Sequence, residues 1–433
     1  MIFKGVYCNI KIAFLIFGMC LSIYMADAGN SRKISKKEQN KAAFYTGKYP
    51  NVFLEAGYNQ NEIDQKVEKA YNDLFEGSNR IYFEVGDSMA YLSDIKNHDV
   101  RTEGLSYGMM VAVQLDKKEV FDIIWRWSKK YMQHQSGPRE GYFAWSFDPV
   151  KMKQNSPGSA SDGELYFITS LLFASNRWGN ITGIDYYAEA RRILDAMWKK
   201  DGTGNIYNLI NVEHKQISFV PEGGAYNWTD PSYHLPAFMD VWAIYAKDGH
   251  EQFYRDCADT SRVFLHRACH PVTGLNADYT DFSGQAHSSR WMPAAFRYDS
   301  WRVPMNISMD YIWFGKDKQW QQNYAKRIQS FFKSKGINTF EDQFNMDGSK
   351  PEFILKSGSD FQRLRHSIGL VATVASTSLI NQDLDYIQTL WKAKLEPYDD
   401  GYFDPYYDGL LYLFSLMHLS GKYQVIVPVQ KLN

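Results

Sequence analysis

Apolar residues recur at helical spacing along most of the chain, over roughly 61–76, 103–114, 116–134, 162–176, 185–200, 232–247, 250–268, 302–315, 318–335, 366–380, 383–393 and 406–420. The pattern predicts about twelve helices. Punctuation supports it, since Asp116 with Glu119 and Asp185 with Glu189 stand where caps and first-turn acids belong, and Gly202, Gly249 and Gly336 follow helix ends. The connections alternate in length. Within pairs such as 103–114 with 116–134 the link is a few residues, whereas before 103, 162, 232, 302, 366 and 406 the chain wanders for some 13 to 35. A short link makes an antiparallel helix hairpin. Six hairpins entered by long links fit an all-α fold, an (α/α)6 barrel with its long loops gathered at one mouth. A less regular helical array or two helical domains is the competing arrangement. No Pro-, Gly- or Ser-rich linker divides the chain, so 42–433 reads as one catalytic domain behind a polar lead segment, 29–41.

The amino terminus follows a different pattern. Lys4 and Lys11 precede an apolar run from Ile12 to Ala26, and Ala26-Asp27-Ala28 supplies small residues before Gly29, which reads as a signal peptide over 1–28. About fifteen apolar residues fall short of the roughly 20 that span a bilayer. The expectation is export, to the periplasm or beyond the cell. Lipid anchoring at Cys20 is disfavoured by Met19, where a small residue is wanted. Of the remaining cysteines, Cys257 lies within the helix predicted over 250–268 and Cys269, twelve positions on, directly follows it. That places their sulfurs roughly 18 Å apart, beyond disulfide reach, and makes both core thiols.

Composition narrows the function classes. Among 433 residues, 48 basic and 49 acidic side chains leave a net charge of −1, which excludes nucleic-acid binding driven by charge. Aromatics reach 16%, with 12 Trp, 30 Tyr and 27 Phe, more than a core alone needs, and some are expected to line a ligand groove. There is no Cys-x-x-Cys and no His-Glu-x-x-His, hence no zinc signature.

In an (α/α)6 barrel, residues ending a long loop or opening the next helix converge at one mouth. Glu103, Asp162, Tyr233, Asp299, His366 and Asp408 hold such positions. Glu103 lies between Arg101 and two glycines at a helix start, where it could simply satisfy the helix dipole. A general acid there needs a raised pKa, which apolar walls or a nearby carboxylate would have to supply against the helix terminus. Gly104-Leu105-Ser106-Tyr107-Gly108 matches a nucleophile-elbow pattern but falls inside the helix, which argues against a serine hydrolase. Ser161 or Asp162 could merely cap the next helix. Asp299, flanked by Arg297 and Arg302 and by Tyr298 and Trp301, is either part of a structural ion pair or a carboxylate held ionised as a base. Two or three carboxylates at an aromatic mouth suggest glycoside hydrolysis, one acid protonating the leaving oxygen and another activating water. Trp145 could stack on a sugar face. No metal or organic cofactor is required.

The segments Asp99-Val100-Arg101-Thr102-Glu103-Gly104 through Trp127, Gly141 to Ser146, Asp230-Pro231-Ser232-Tyr233-His234-Leu235-Pro236, Ala268-Cys269-His270-Pro271, Tyr298 to Val303 and Tyr406 to Gly421 resemble glycoside hydrolase family 8. Within it they resemble most closely the reducing-end xylose-releasing exo-oligoxylanases. The resemblance implies an inverting enzyme on an (α/α)6 barrel, with Glu103 as general acid and Asp299 as base. It implies that Asp162 holds the scissile sugar and that Tyr233 and Arg302 surround the catalytic water and base; Tyr107 and Trp145 are expected to bind substrate beside them. Those relatives read the reducing end with the histidine of a Leu-His-Pro loop. Here His366 is kept, between Arg365 and Ser367. The expected substrate is a xylo-oligosaccharide or xylan, and the expected state a monomer with no nucleic-acid partner and no membrane span. Endo-xylanase, β-glucanase or chitosanase action remains the alternative within the family, and a catalytically silent carbohydrate-binding protein the alternative outside it.

Overall fold

A computed structural model describes residues 42–428 apart from 182, 289–292, 356–363 and 398–402; the predicted signal peptide and lead segment, with Cys8 and Cys20, lie outside the described residues. Twelve helices of nine residues or more follow in order: α1 (Gln60–Phe75), α2 (Thr102–Gln114), α3 (Lys118–Tyr131), α4 (Ser161–Trp178), α5 (Tyr186–Trp198), α6 (Pro236–Tyr245), α7 (Glu251–Ala268), α8 (Arg302–Trp313), α9 (Lys318–Ser334), α10 (Ile368–Ser376), α11 (Leu384–Lys392) and α12 (Tyr407–Leu419). Each predicted helical stretch contains one of these helices. The even-numbered helices touch one another in a closed cycle from α2 round to α12 and back. Each has an odd-numbered partner outside it, and α1 pairs with α12, so the first and last long helices close the (α/α)6 barrel.

Burial follows from these positions. An inner helix meets neighbours on all sides, and in α2 every residue except Glu103 is buried. An outer helix needs only one apolar stripe, as α1 shows with Ile63, Val67, Ala70, Tyr71 and Leu74. The inner helices approach closely at their first turns: a Cβ on Gly163 would stand 2.5 Å from the Cβ of Thr102. Glycine there lets α4 press against α2, which sets Glu103 beside Asp162.

The links carry structure that helical periodicity does not reveal. Strands β1 (Tyr82–Val85), β2 (Met89–Asp94), β3 (Asp99–Arg101), β4 (Ser146–Asp148) and β5 (Lys153–Ser156) form an antiparallel sheet in that order. Arg101 pairs with Ser146, so the start of α2 is stitched to the segment carrying Trp145.

Three local expectations are corrected. The helix expected from 232 begins at Pro236, and Tyr233 lies in a separate 3-10 turn, Pro231–Tyr233; proline suits a first helical position and disfavours helix in the residue before it. Asp116 does not cap α3, whose cap residue is Lys117. It takes a left-handed φ of 59° in the tight turn after α2 and accepts from Trp178 Nε1 at 2.7 Å. At α4, Ser161 donates instead to the Ser218 carbonyl at 2.7 Å, and the cap position is Ala160, without a side-chain cap. Asp185 does cap α5, accepting from Ala188 N at 2.9 Å. Cys257 and Cys269 are buried free thiols.

Candidate active site

The inner helices meet at their amino-terminal ends around one side chain. Arg302, at the first position of α8, sends Nη1 to Glu103 Oε2 at 2.9 Å, to Asp162 Oδ2 at 2.9 Å and to Tyr107 OH at 3.0 Å. Its Nη2 donates to Asp299 Oδ1 at 2.8 Å and stands 3.6 Å from Asp230 Oδ2. Four elements of the ring thus converge on one guanidinium. The side chains of Arg302 and Asp162 are only 3% and 7% exposed, whereas Glu103 and Asp299 keep 14% and 27%, so the two acids that face the mouth are those at opposite nitrogens of Arg302. The guanidinium's amino nitrogens stand about 2.3 Å apart. With bonds of 2.9 and 2.8 Å on either side, the bonded oxygens of Glu103 and Asp299 are therefore at most about 8 Å apart.

One positive charge faces four carboxyl groups, and in a buried site they cannot all ionise. Burial pushes Glu103 up to about 8; Asp162 and Asp299 add to the shift, and Arg302 opposes it. Burial also raises Asp162, with Asp299 reinforcing and Arg302 opposing, and drives Asp230 well above the usual carboxylate range. The helix terminus that should have kept Glu103 ionised is thus outweighed by desolvation and its acidic neighbours.

The turn bearing Asp299 is strained. Tyr298 has φ of 36°, a left-handed conformation disfavoured for a bulky residue, and its carbonyl accepts from Tyr407 OH at 2.8 Å. Tyr233 is buried, with the Arg302 guanidinium 5.5 Å from its ring centroid. Trp145 is half-buried; its carbonyl accepts from Thr102 N at 3.0 Å, and the Arg101 guanidinium lies 5.5 Å over its ring. His366 is half-buried, with Nδ1 at 2.8 Å from the Phe340 carbonyl. Asp408 ties inner helices together, accepting from the Ser367 hydroxyl and from Gly369 N. Ser106 is fully buried inside α2, a turn past the strand-to-helix junction at Arg101, and donates to the Glu103 carbonyl at 3.0 Å, which removes the serine-hydrolase reading.

Asp230 is the site residue that sequence reasoning quoted within a motif but did not single out. It ends a long loop, as Asp299 does, and that position was the available signal. Among the described residues no group of three or more His, Cys, Asp or Glu side chains is arranged to hold a metal ion.

The family profile for glycosyl hydrolases family 8 matches residues 92–418. Over 394 residues the chain is 38% identical to a reducing-end xylose-releasing exo-oligoxylanase of Paenibacillus barcinonensis, covering 89% of this chain and 98% of that one. With the enzyme of the same description from Halalkalibacterium halodurans it shares 38% over 401 residues, 90% and 98% of the two chains. Endoglucanase A of Acetivibrio thermocellus is 25% identical over 386 residues, 88% of this chain and 74% of the other. The structure of a variant of the Paenibacillus enzyme complexed with an arabinofuranosyl-xylotetraose superposes with a TM-score of 0.81 at 37% identity, covering 90% of this chain and 99% of that one. Since the profile runs from β2 into α12 and so takes in the whole inner ring, this chain belongs to glycoside hydrolase family 8 and is a glycosidase.

Proposed function

We propose that the protein hydrolyses β-1,4-xylosidic bonds with inversion and releases xylose from the reducing end of xylo-oligosaccharides. The observation that carries the reading is the pair of acids, Glu103 and Asp299, held at opposite nitrogens of Arg302 and more exposed than Asp162 behind them. Glu103 donates its proton to the glycosidic oxygen as the bond to the anomeric carbon breaks. Asp299 accepts a proton from the water that attacks that carbon from the opposite face. Inverting enzymes keep their two carboxyl groups roughly 6.5–9.5 Å apart to admit that water, and the limit of about 8 Å set through Arg302 is compatible with that spacing. Asp162 holds the scissile sugar, Arg302 and Tyr107 fix the acid, Tyr233 flanks the water, Trp145 stacks on a sugar ring and His366 receives the reducing-end hydroxyl.

The substrate follows from the relatives at 38% identity, which are described as acting on xylo-oligosaccharides at the reducing end. Endo-acting cleavage is the second reading, supported by the more distant endoglucanases. Incubation with xylotriose and with its reduced alditol separates them: xylose and xylobiose from the unreduced sugar alone support the first. We further propose that 1–28 direct export and are removed, that 42–433 act as one catalytic domain, and that the enzyme is a monomer; the mass of the secreted protein and light scattering test these.

A further inference from the structure

His366 lies between two residues that are each tied to a buried carboxylate. Arg365 donates from its backbone N to Asp342 Oδ1 at 3.1 Å and from Nε to Asp342 Oδ2 at 3.2 Å. Both side chains are buried, with Asp342 at 0% exposure and Arg365 at 5%. On the other side, Ser367 caps α10 through Leu370 N at 3.3 Å and donates to Asp408.

The short segment 340–342 also reaches the turn that carries Asp299. Its Phe340 carbonyl binds His366 Nδ1, and its Asp342 carbonyl accepts from Trp301 Nε1 at 3.0 Å. Arg365 Nη2 makes a further contact with Tyr298 OH at 3.4 Å. Tyr298 and Trp301 bracket Asp299. A carbonyl can only accept, so Nδ1 of His366 carries a proton. The segment therefore sets both the tautomer of His366 and its placement relative to Asp299.

We propose that Arg365 and Asp342 are positioning residues that hold His366 in register with Asp299, and so fix where along a xylo-oligosaccharide the enzyme cuts. This rests on the reducing-end reading above. A buried ion pair is a weak source of stability, and replacing both partners with apolar residues is often tolerated, whereas removing one leaves a buried charge. The double variant Arg365→Leu with Asp342→Leu is therefore the first to make, and Asp342→Asn the second.

The test is the ratio of kcat/KM on xylotriose to that on its reduced alditol, because the folded fraction cancels in the ratio. The ratio should fall by about tenfold or more in each variant, the loss expected when one well-placed hydrogen bond to the terminal hydroxyl is lost. KM on xylotriose should rise, and mid-chain products should appear from xylohexaose. An unchanged ratio in a folded variant overturns the proposal. A wild-type enzyme that does not discriminate between the two sugars overturns the reducing-end reading itself, and this proposal with it.

Discussion

Arg302 reaches Glu103 across 199 positions of sequence with a hydrogen bond of 2.9 Å, yet Glu103 keeps its proton up to a pH of about 8. The arginine orients the acid without ionising it, because burial and two further carboxylates act against its charge.

Removing the proton while keeping the shape tests the role of Glu103. Glu103→Gln should lower kcat by about 100- to 10,000-fold, the range ascribed to general acid catalysis. Its thermal midpoint should equal or exceed that of the wild type, since an amide cannot ionise in the site. Steady-state kinetics and calorimetry on the same preparation check both statements.

The pH profile should follow the same group. The acid works protonated, so kcat/KM should decline above a pH of about 8. Because Arg302 lowers the pKa of Glu103, Arg302→Met should move that alkaline limb to higher pH while cutting kcat/KM by about 100-fold through lost placement. A limb displaced to lower pH would contradict this electrostatic picture.

Gly163→Ala should disturb the site without touching a carboxylate. The new Cβ would meet Thr102 at 2.5 Å, and α2 and α4 would have to part. Overpacking of this kind costs about 1–3 kcal/mol. Denaturant unfolding should register that loss, with a fall in kcat as Glu103 and Asp162 separate.

Stability should depend on pH through acids away from the reaction. Glu164, which accepts from Phe143 N at 3.1 Å, is pushed by burial up to about 8, and Asp404 to about 7. In the unfolded chain such groups titrate near 4. The folded chain thus holds protons on Glu164 and Asp404 that the unfolded chain releases, so the contribution of these two acids to stability is full below about pH 4 and is lost as pH rises toward 8. Glu164→Gln should flatten that decline in thermal midpoints measured from pH 5 to 8.

Much of this architecture was readable from the chain. Alternating short and long links implied hairpins, and of the six residues at the ends of the long links Glu103, Asp162 and Asp299 bond Arg302 and Tyr233 lies against it. The five-stranded sheet was not readable, because β3 and β4 are three residues each and show no usable alternation. Asp230 was overlooked because its nearness to Arg302, 3.6 Å, arises only when the turn before α6 and the start of α8 meet in the fold. The left-handed φ at Tyr298 likewise goes with tertiary contacts, from Tyr407 OH to its carbonyl and from Arg365 to its hydroxyl, with no local sequence signal.

The most direct test of the central claim is proton NMR of xylotriose during its first turnovers, following the anomeric signal of the newly formed xylobiose end. Attack by a water that Asp299 activates opposite Glu103 should give the α-anomer first, with the β-anomer growing only as the sugar mutarotates. Initial accumulation of the β-anomer would mean retention, and would contradict the assignment of Glu103 and Asp299 as an acid and base acting across a water.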